Sequence, residues 1–338
     1  MKKLISLICV LAMVLALAAC GSSAPAAATE APAASTEAPA EDVSADKTFV
    51  VGICQLVQHP ALDAATQGFK DALTEALGDK VTFQEQNASG DSATCSLICN
   101  QFVSDEVDLI MANATASIQA AASATNTIPI LGTSITDYGV ALGVDNWTGI
   151  SGTNISGTSD LAPLDGQAAM IQELFPEAKT IGLLYCSGEP NSIFQADSME
   201  ALLTEMGYSV ERYTFADSND VSSVTANACS NSDVLYIPTD NTAASCTEAI
   251  NNVALSAGIP IVAGEEGIAS GCGVATLSIS YYALGRATGE MAAEILTEGA
   301  DVSTMEVRFA PAFTKEYNAD ICEALNITVP EDYVAIAK

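Results

Sequence analysis

Along the chain, short runs of apolar and β-branched residues alternate with longer stretches in which apolar residues return every three or four positions. The alternation starts at Phe49. FVVGICQ, 49–55, has the continuous apolar character of a buried strand, and the segment 61–77 sets Leu62, Ala65, Phe69, Leu73 and Leu77 on one helical face. The rhythm repeats as strand VTFQEQ (81–86), helix 92–103, strand DLIMAN (108–113), helix 115–124 and strand IPILGTS (128–134). Strands that alternate with helices of this length predict βαβ units, a parallel sheet and an α/β fold.

Between 141 and 160 the rhythm stops. ALGVDNWTGISGTNISGTSD is Gly-rich, short of helix formers and contains the one Trp of the chain, Trp147. It resumes as helix 164–174, strand TIGLLYC (180–186), helix 193–206, strand YSVERYTF (208–215), helix 221–228, strand DVLYIP (233–238), helix 242–256 and strand IPIVAG (259–264). After GVATLSIS (273–280), a long helix from Tyr281 puts Leu284, Thr288, Met291, Ala292 and Ile295 on one face; MEVRFAP (305–311) and a helix at 315–325 close the chain. The two series, spread over roughly 290 residues, exceed what one core usually fills and predict two lobes.

The N-terminus follows a different pattern. Lys2 and Lys3 precede an apolar stretch, 4–17, and Leu17-Ala18-Ala19-Cys20 follows it. That is a secretory signal, too short and wrongly flanked for a spanning helix. The Leu-Ala-Ala-Cys order resembles the lipobox of bacterial lipoproteins, which implies lipidation of Cys20. Residues 21–46 hold no aromatic residue, no Leu and no Ile among many Ala, Pro, Ser and Thr. Such a segment cannot bury enough apolar surface to offset its ordering entropy, so a flexible tether is expected. No later stretch is apolar for long enough to span a bilayer. The expected location is the extracytoplasmic face of a bacterial cell membrane, with Cys20 as the lipid anchor.

Charge narrows the partners. The formal net charge is -31, and loss of Lys2 and Lys3 with a signal that holds no acid takes it from -31 to -33. Such a surface repels nucleic acid and anionic headgroups and tolerates cationic or zwitterionic ligands, so no nucleic-acid partner is expected. Of the ten cysteines, Cys9 leaves with the signal and Cys20 is the lipid site. The eight others lie mostly in apolar runs without a CxxC spacing, as small buried hydrophobes do. With one His, a Cys/His zinc site has little to draw on, and neither metal nor cofactor is expected.

In an open α/β sheet, ligands bind beyond the carboxyl ends of the strands, beside helix N-termini. Those positions hold Gln55, His59 and Asp63; Asn113, Thr115 and Ser117; Thr133, Ser134, Thr136, Asp137 and Tyr138 in the first series. In the second they hold Ser187, Glu189, Asn191 and Ser192; Thr239, Asp240, Asn241 and Thr242; Glu265 and Glu266. The three arginines fall elsewhere, Arg212 and Arg308 in expected strands and Arg286 in a helix, so no clamp for a phosphate is on offer. Hydroxyls and helix N-termini can hold one carboxylate, and surplus acids suit an ammonium. Together they describe a zwitterionic amino-acid site. Ser187, Asn191, Ser192, Asp240 and Asn241 are equally good N-caps. His59, before Pro60, is read as a surface or helix-entry residue, and Trp147 either stacks on a ligand or packs the hinge.

QLVQHPALDAATQGFKDAL, GLLYCSGEPNS, YIPTDN and YYALGRATGEMAAEIL together resemble the solute-binding lipoproteins of ABC transporters in the TrpX-like group, associated with tryptophan and other aromatic amino acids. The resemblance spans nearly all of 49–329. It implies a type I periplasmic-binding-protein fold: two Rossmann-like lobes with parallel sheets, joined by a three-crossover hinge. By that analogy the signal is 1–19, the tether 20–47, lobe one 48–147 plus 279–303, and lobe two 148–278 plus 304–338, with hinge strands near Trp147, Ser278 and Glu306. The implied ligand contacts are Gln55, Thr133, Ser134 and Asp137 in lobe one and Ser187, Glu189, Asn191, Thr239 and Asp240 in lobe two. Ser187, Asn191 and Ser192 would meet a carboxylate, and Glu189 an ammonium. Related proteins often have Pro after Asp137, where this chain has Tyr138. The implied role is a monomer that captures an amino acid and delivers it to ABC permease subunits.

Two other readings have less to stand on. A sugar or nucleoside on the same fold usually needs aromatic platforms, and aromatics are only 6% here. An exported hydrolase lacks its parts: there is no G-x-S-x-G, and the P-loop pattern is absent too.

Overall fold

The computed structural model describes residues 47–310 and 312–337. The expected signal, the lipidation at Cys20 and all but the last residue of the tether lie outside the described residues.

The first βα series runs β1 Phe49–Gln55, α1 Pro60–Leu77, β2 Val81–Asn87, α2 Ser92–Ser104, β3 Leu109–Asn113, α3 Thr115–Ala124, β4 Ile130–Ile135, α4 Tyr138–Leu142 and β5 Ile155–Ser159. The second runs α5 Leu164–Leu174, β6 Thr180–Cys186, α6 Pro190–Glu205, β7 Ser209–Phe215, α7 Val221–Asn231, β8 Val234–Ile237, α8 Asn241–Ser245, α9 Thr247–Ala257, β9 Ile261–Ala263, α10 Glu266–Cys272 and β10 Ala275–Ser278. It continues as α11 Tyr281–Glu298, β11 Arg308–Phe309, β12 Thr314–Tyr317, α12 Ala319–Ala324 and β13 Val334–Ala335.

Two sheets result. One has the order β11-β5-β4-β3-β1-β2 and is parallel throughout; the other is β13-β12-β10-β9-β8-β6-β7, parallel except where β12 runs against β10. Side chains alternate across each sheet. In β3, Leu109 and Met111 pack with Phe69, Leu73 and Met291 of α1 and α11, whereas Ile110 and Ala112 pack with Ile98, Phe102 and Ile118 of α2 and α3. In β6, Leu183 and Tyr185 join one core and Leu184 and Cys186 the other. Cover on both faces is why these strands read as unbroken apolar runs. A fully buried side chain such as Phe69 stabilises by roughly 1.5–3 kcal/mol.

Helices α1 and α11 lie unusually close. A Cβ on Gly285 would sit 1.9 Å from the Ala65 carbonyl oxygen, and one on Gly68 would sit 2.1 Å from that of Tyr282. Only glycine permits that approach, which ties α11, far along the chain, to the first lobe.

Sheet membership moves the lobe boundaries implied by the family resemblance. β5 extends the first sheet beside β4, and β11 pairs with it through Arg308↔Thr158 and Phe309↔Ser159. So 148–159 and 304–309 belong with lobe one rather than lobe two. The chain leaves the first sheet after Ser159, goes back towards it after Ser278 and leaves it again after Phe309, where the resemblance implied hinge strands near Trp147, Ser278 and Glu306. β5 escapes recognition because ISGTS has a single apolar residue, Ile155, followed by Ser, Gly, Thr and Ser. Its Gly157 adopts φ 142° where a Cβ would lie 2.1 Å from the Gly132 carbonyl oxygen, yet all five residues are buried.

The end of the chain differs too. The helix expected over 315–325 is β12 followed by the short α12, whose N-cap Asn318 accepts from the Ile321 N–H. The helix expected over 242–256 breaks at Cys246 into α8 and α9.

Candidate functional site

The strand ends of both sheets face each other across a cleft. Its inner part narrows to a cavity of about 10 Å³, lined by His59, Leu62, Ser134, Thr136 and Asp160 from lobe one, Asn191, Thr239, Asp240, Asn241, Ala244 and Glu265 from lobe two, and Tyr281. That is room for about one water. An outer groove of about 440 Å³ opens beyond it, with Leu56, Val57, Thr115, Glu189, Pro190 and Thr242 in its walls. The lobes touch between the two spaces, where His59 Nε2 lies 3.3 Å from Asn241 Oδ1.

Local structure aims the inner residues. At Ser134 the pairing of β4 with β5 slips, and the backbone takes φ 56°, a left-handed conformation costly for a residue with a Cβ. Ser134 is 6% exposed, and its Oγ has no hydrogen-bond partner. Asp160 follows the last residue of β5. Its Oδ2 accepts from the Tyr281 hydroxyl at 2.9 Å, while Oδ1, fully enclosed, accepts from nothing. His59 is the N-cap residue of α1, 7% exposed, and its Nδ1 is likewise unpartnered. Among the described residues six buried side-chain polar atoms lack partners, and these three belong to residues that line one cavity. Native proteins leave few such atoms, and a cluster of them marks a place where something else completes the bonding.

The other buried acids are already satisfied. Asp240 accepts from the N–H groups of Cys186 (2.6 Å) and Ala243 (2.8 Å), and Glu265 from those of Gly267 (2.5 Å) and Ile268 (2.6 Å). Burial pushes the Asp160 carboxyl up to about 6 and the Glu265 carboxyl up to about 7. It also raises Asp240, with the charge of Glu189 adding to the effect. The same desolvation lowers His59, so its ring is neutral at pH 7. No described Lys or Arg lines the cavity. Among the described residues no group of three or more His, Cys, Asp or Glu is arranged to hold a metal ion.

Of the nine contacts expected from the sequence, Ser134, Asn191, Thr239 and Asp240 line the cavity, and Glu189 lines the groove. Glu189 does not point a free carboxylate inward. Its two oxygens accept from the Asn241 N–H (3.0 Å) and Nδ2 (2.7 Å) and from the Thr242 N–H (2.8 Å) and Oγ1 (2.8 Å), which caps α8. The remaining four lie outside the cavity lining. Gln55 bonds Val57, Asp63 and Thr66 within lobe one; Thr133 is fully buried and accepts from Thr158; Asp137 caps α4 through the Val140 N–H; Ser187 is exposed and donates to the Phe215 carbonyl. Tyr138, where relatives often have Pro, donates to the Gly132 and Thr158 carbonyls and stacks on Trp147 at 5.8 Å, so neither ring reaches the cavity. Of the cavity residues outside those nine, His59, Thr136, Asn241 and Glu265 are among the strand-end positions read from the sequence, whereas Asp160 is not. Asp160 would have stood out had β5 been recognised, since it occupies that strand's carboxyl end.

The eight cysteines from Cys54 onward are free, and all but Cys246 are buried.

Comparison with known proteins adds four findings. A family model described as ABC transporter substrate binding protein matches residues 50–338. A tyrosine-binding protein of Clostridioides difficile (strain R20291) is 38% identical over 280 residues, 82% of this chain and 81% of that one. A Streptococcus pneumonia ABC domain solved in complex with L-Trp is 31% identical with a TM-score of 0.80, covering 84% of this chain and 97% of that one. The ligand-free, open structure of a Clostridium difficile substrate binding protein with adhesive properties is 38% identical, yet its TM-score is 0.66, with 86% and 99% covered.

Proposed function

The chain belongs to the ABC transporter substrate binding protein family, and from that premise we propose that it captures a free amino acid with an aromatic side chain between its lobes and delivers it to a membrane permease. The observation that carries the amino-acid reading is that the unpartnered Asp160 Oδ1, His59 Nδ1 and Ser134 Oγ belong to residues that line one cavity without Lys or Arg. A buried carboxylate with one oxygen unused is a strong acceptor for an ammonium, because the pair removes the desolvation penalty that each charge carries alone. The aromatic side chain is supported by the relatives, one named for tyrosine and one solved with L-Trp.

An inner cavity of about 10 Å³ cannot hold such a ligand, so binding requires the cleft to open and to close again around it. The outer groove, about 440 Å³, lies in the range of small-molecule sites. Ligand favours closure only as far as it binds the closed state better than the open one. Motion about the three connections that follow Ser159, Ser278 and Phe309 lets the sheets stay rigid. Asp160 and Tyr281 flank two of those connections, so ligand binding and hinge position are coupled. In this reading the chain is a binding protein without catalytic residues. It is exported by the signal 1–19, anchored through Cys20 outside the cell membrane, and acts as a monomer.

The test is a thermal-shift screen against the twenty amino acids with a set of sugars and nucleosides, followed by calorimetry on the hits, since a ligand that binds only the native state raises Tm. The expected result is a shift with Tyr, Trp or Phe. A shift confined to a sugar or nucleoside overturns the ligand assignment.

A further inference from the structure

The proposed amino-acid site contains the one histidine of the chain, and its hydrogen bonds determine what that histidine can do. Asn241 Nδ2 donates to Glu189 Oε2 at 2.7 Å. A carboxylate only accepts, so this bond fixes the amide orientation and turns Asn241 Oδ1, an obligate acceptor, towards His59 Nε2 at 3.3 Å. Nε2 must therefore carry the hydrogen. In a neutral imidazole the other nitrogen is then a bare lone pair, and here that nitrogen is the buried, unpartnered Nδ1 of a residue that lines the same cavity as Asp160.

We infer that His59 is a specificity-determining residue whose Nδ1 accepts a hydrogen bond from the ligand's ammonium, its tautomer being set across the cleft by Asn241 and Glu189. The inference rests on the amino-acid reading above and deepens it. With Asp160 Oδ1 and Ser134 Oγ it gives three acceptors for the three N–H bonds of a primary ammonium. The groups around the ring suit that role: Asp63 on its own helix, Glu189 at the N-cap of α6, and Asp160, Asp240 and Glu265 in the same cavity are all acids. The arrangement also links recognition to closure. Asn241 is on the opposite lobe, so the tautomer is enforced only when the lobes meet. A ligand whose α-nitrogen is acylated, or replaced by a hydroxyl, offers too few donors and is rejected.

Two measurements on one preparation test this. Because the chain has a single histidine, 15N-histidine labelling gives one ring spin system, provided that any affinity tag is removed. In the complex with L-tyrosine or L-tryptophan at pH 7, the expected spectrum is that of a neutral ring protonated at Nε2, with the Nδ1 resonance displaced on ligand addition. A ring protonated at Nδ1, or an imidazolium, overturns the inference. Calorimetry of His59→Phe, which keeps a ring without the acceptor, is expected to give about 10- to 100-fold weaker binding, as for a lost charge-assisted hydrogen bond. Unchanged affinity overturns it. If the wild-type protein binds no amino acid at all, the functional reading itself has failed, which is a separate outcome. If His59→Phe does not fold, the spectrum of the wild-type complex still decides.

Discussion

Asp160→Asn separates a binding carboxylate from a structural one, because the two roles predict opposite effects on stability and affinity. The substitution keeps an oxygen for the Tyr281 hydroxyl, now 2.9 Å away, and removes only the charge. The carboxyl is fully buried and its pKa rises from 3.8 to about 6, mainly through desolvation. A shift of roughly 2 units corresponds to about 3 kcal/mol. The folded pKa is the higher one, so between about pH 4 and pH 6 the native state binds the extra proton and stability falls as pH rises. Above about 6 both states are ionised, and the deficit stays constant at about 3 kcal/mol. At pH 7 the ligand-free Asp160→Asn protein is therefore more stable than the wild type. The gain is at most about 3 kcal/mol, or roughly 6–12 °C in Tm, and smaller to the extent that cleft opening hydrates the carboxylate. Affinity moves the other way. Losing one charge of a buried ion pair costs about 3–5 kcal/mol, more than a hundredfold in Kd. The assay is scanning calorimetry of both proteins at pH 7 and pH 4, with isothermal titration of L-tyrosine at pH 7. A lower Tm for the ligand-free variant together with unchanged affinity would refute the reasoning and leave Asp160 as a structural partner of Tyr281.

The same carboxyl predicts a pH profile: an arriving ammonium must displace the Asp160 proton, so affinity for L-tyrosine falls up to about tenfold per pH unit below about 6, a limb that titration calorimetry from pH 4 to pH 6 reads directly and that Asp160→Asn removes. Gly285→Ala places a methyl 1.9 Å from the Ala65 carbonyl oxygen and is expected to cost about 1–3 kcal/mol or more, seen as a lower urea midpoint at unchanged slope. Ser187→Ala and Glu189→Ala, both plausible contacts from sequence, should now differ. The exposed Ser187 hydroxyl touches only the Phe215 carbonyl, so its loss leaves affinity and stability within about 0.5 kcal/mol. Loss of Glu189 strands the four donors of Asn241 and Thr242, costs about 2 kcal/mol of stability, and weakens binding through the released Asn241. Equal behaviour of the two variants in urea denaturation and calorimetry would count against the cap assigned to Glu189.

What the sequence by itself determined about this protein is whatever depends on local periodicity and on sums. The 3.6-residue spacing from Leu62 to Leu77, the apolar runs at FVVGICQ and TIGLLYC, and their alternation are local, and they specify an α/β chain with parallel sheets in two lobes. The acid surplus and the absence of Lys and Arg from strand ends are additive properties, and they already point to a ligand carrying an ammonium. Tertiary structure decided the rest. ISGTS has no pattern of its own and becomes a strand only because β4 and β11 pair with it, which sets Asp160 at a strand end. The slip at Ser134, with its left-handed backbone, arises from the same pairing. Glu189 looks free in sequence, and the N-terminus of α8 uses it up. His59 and Asn241, 182 residues apart, acquire their roles only when two separately folded lobes come together. Strand pairing and lobe closure join residues whose separation no local pattern encodes, and the candidate site is made of such pairs.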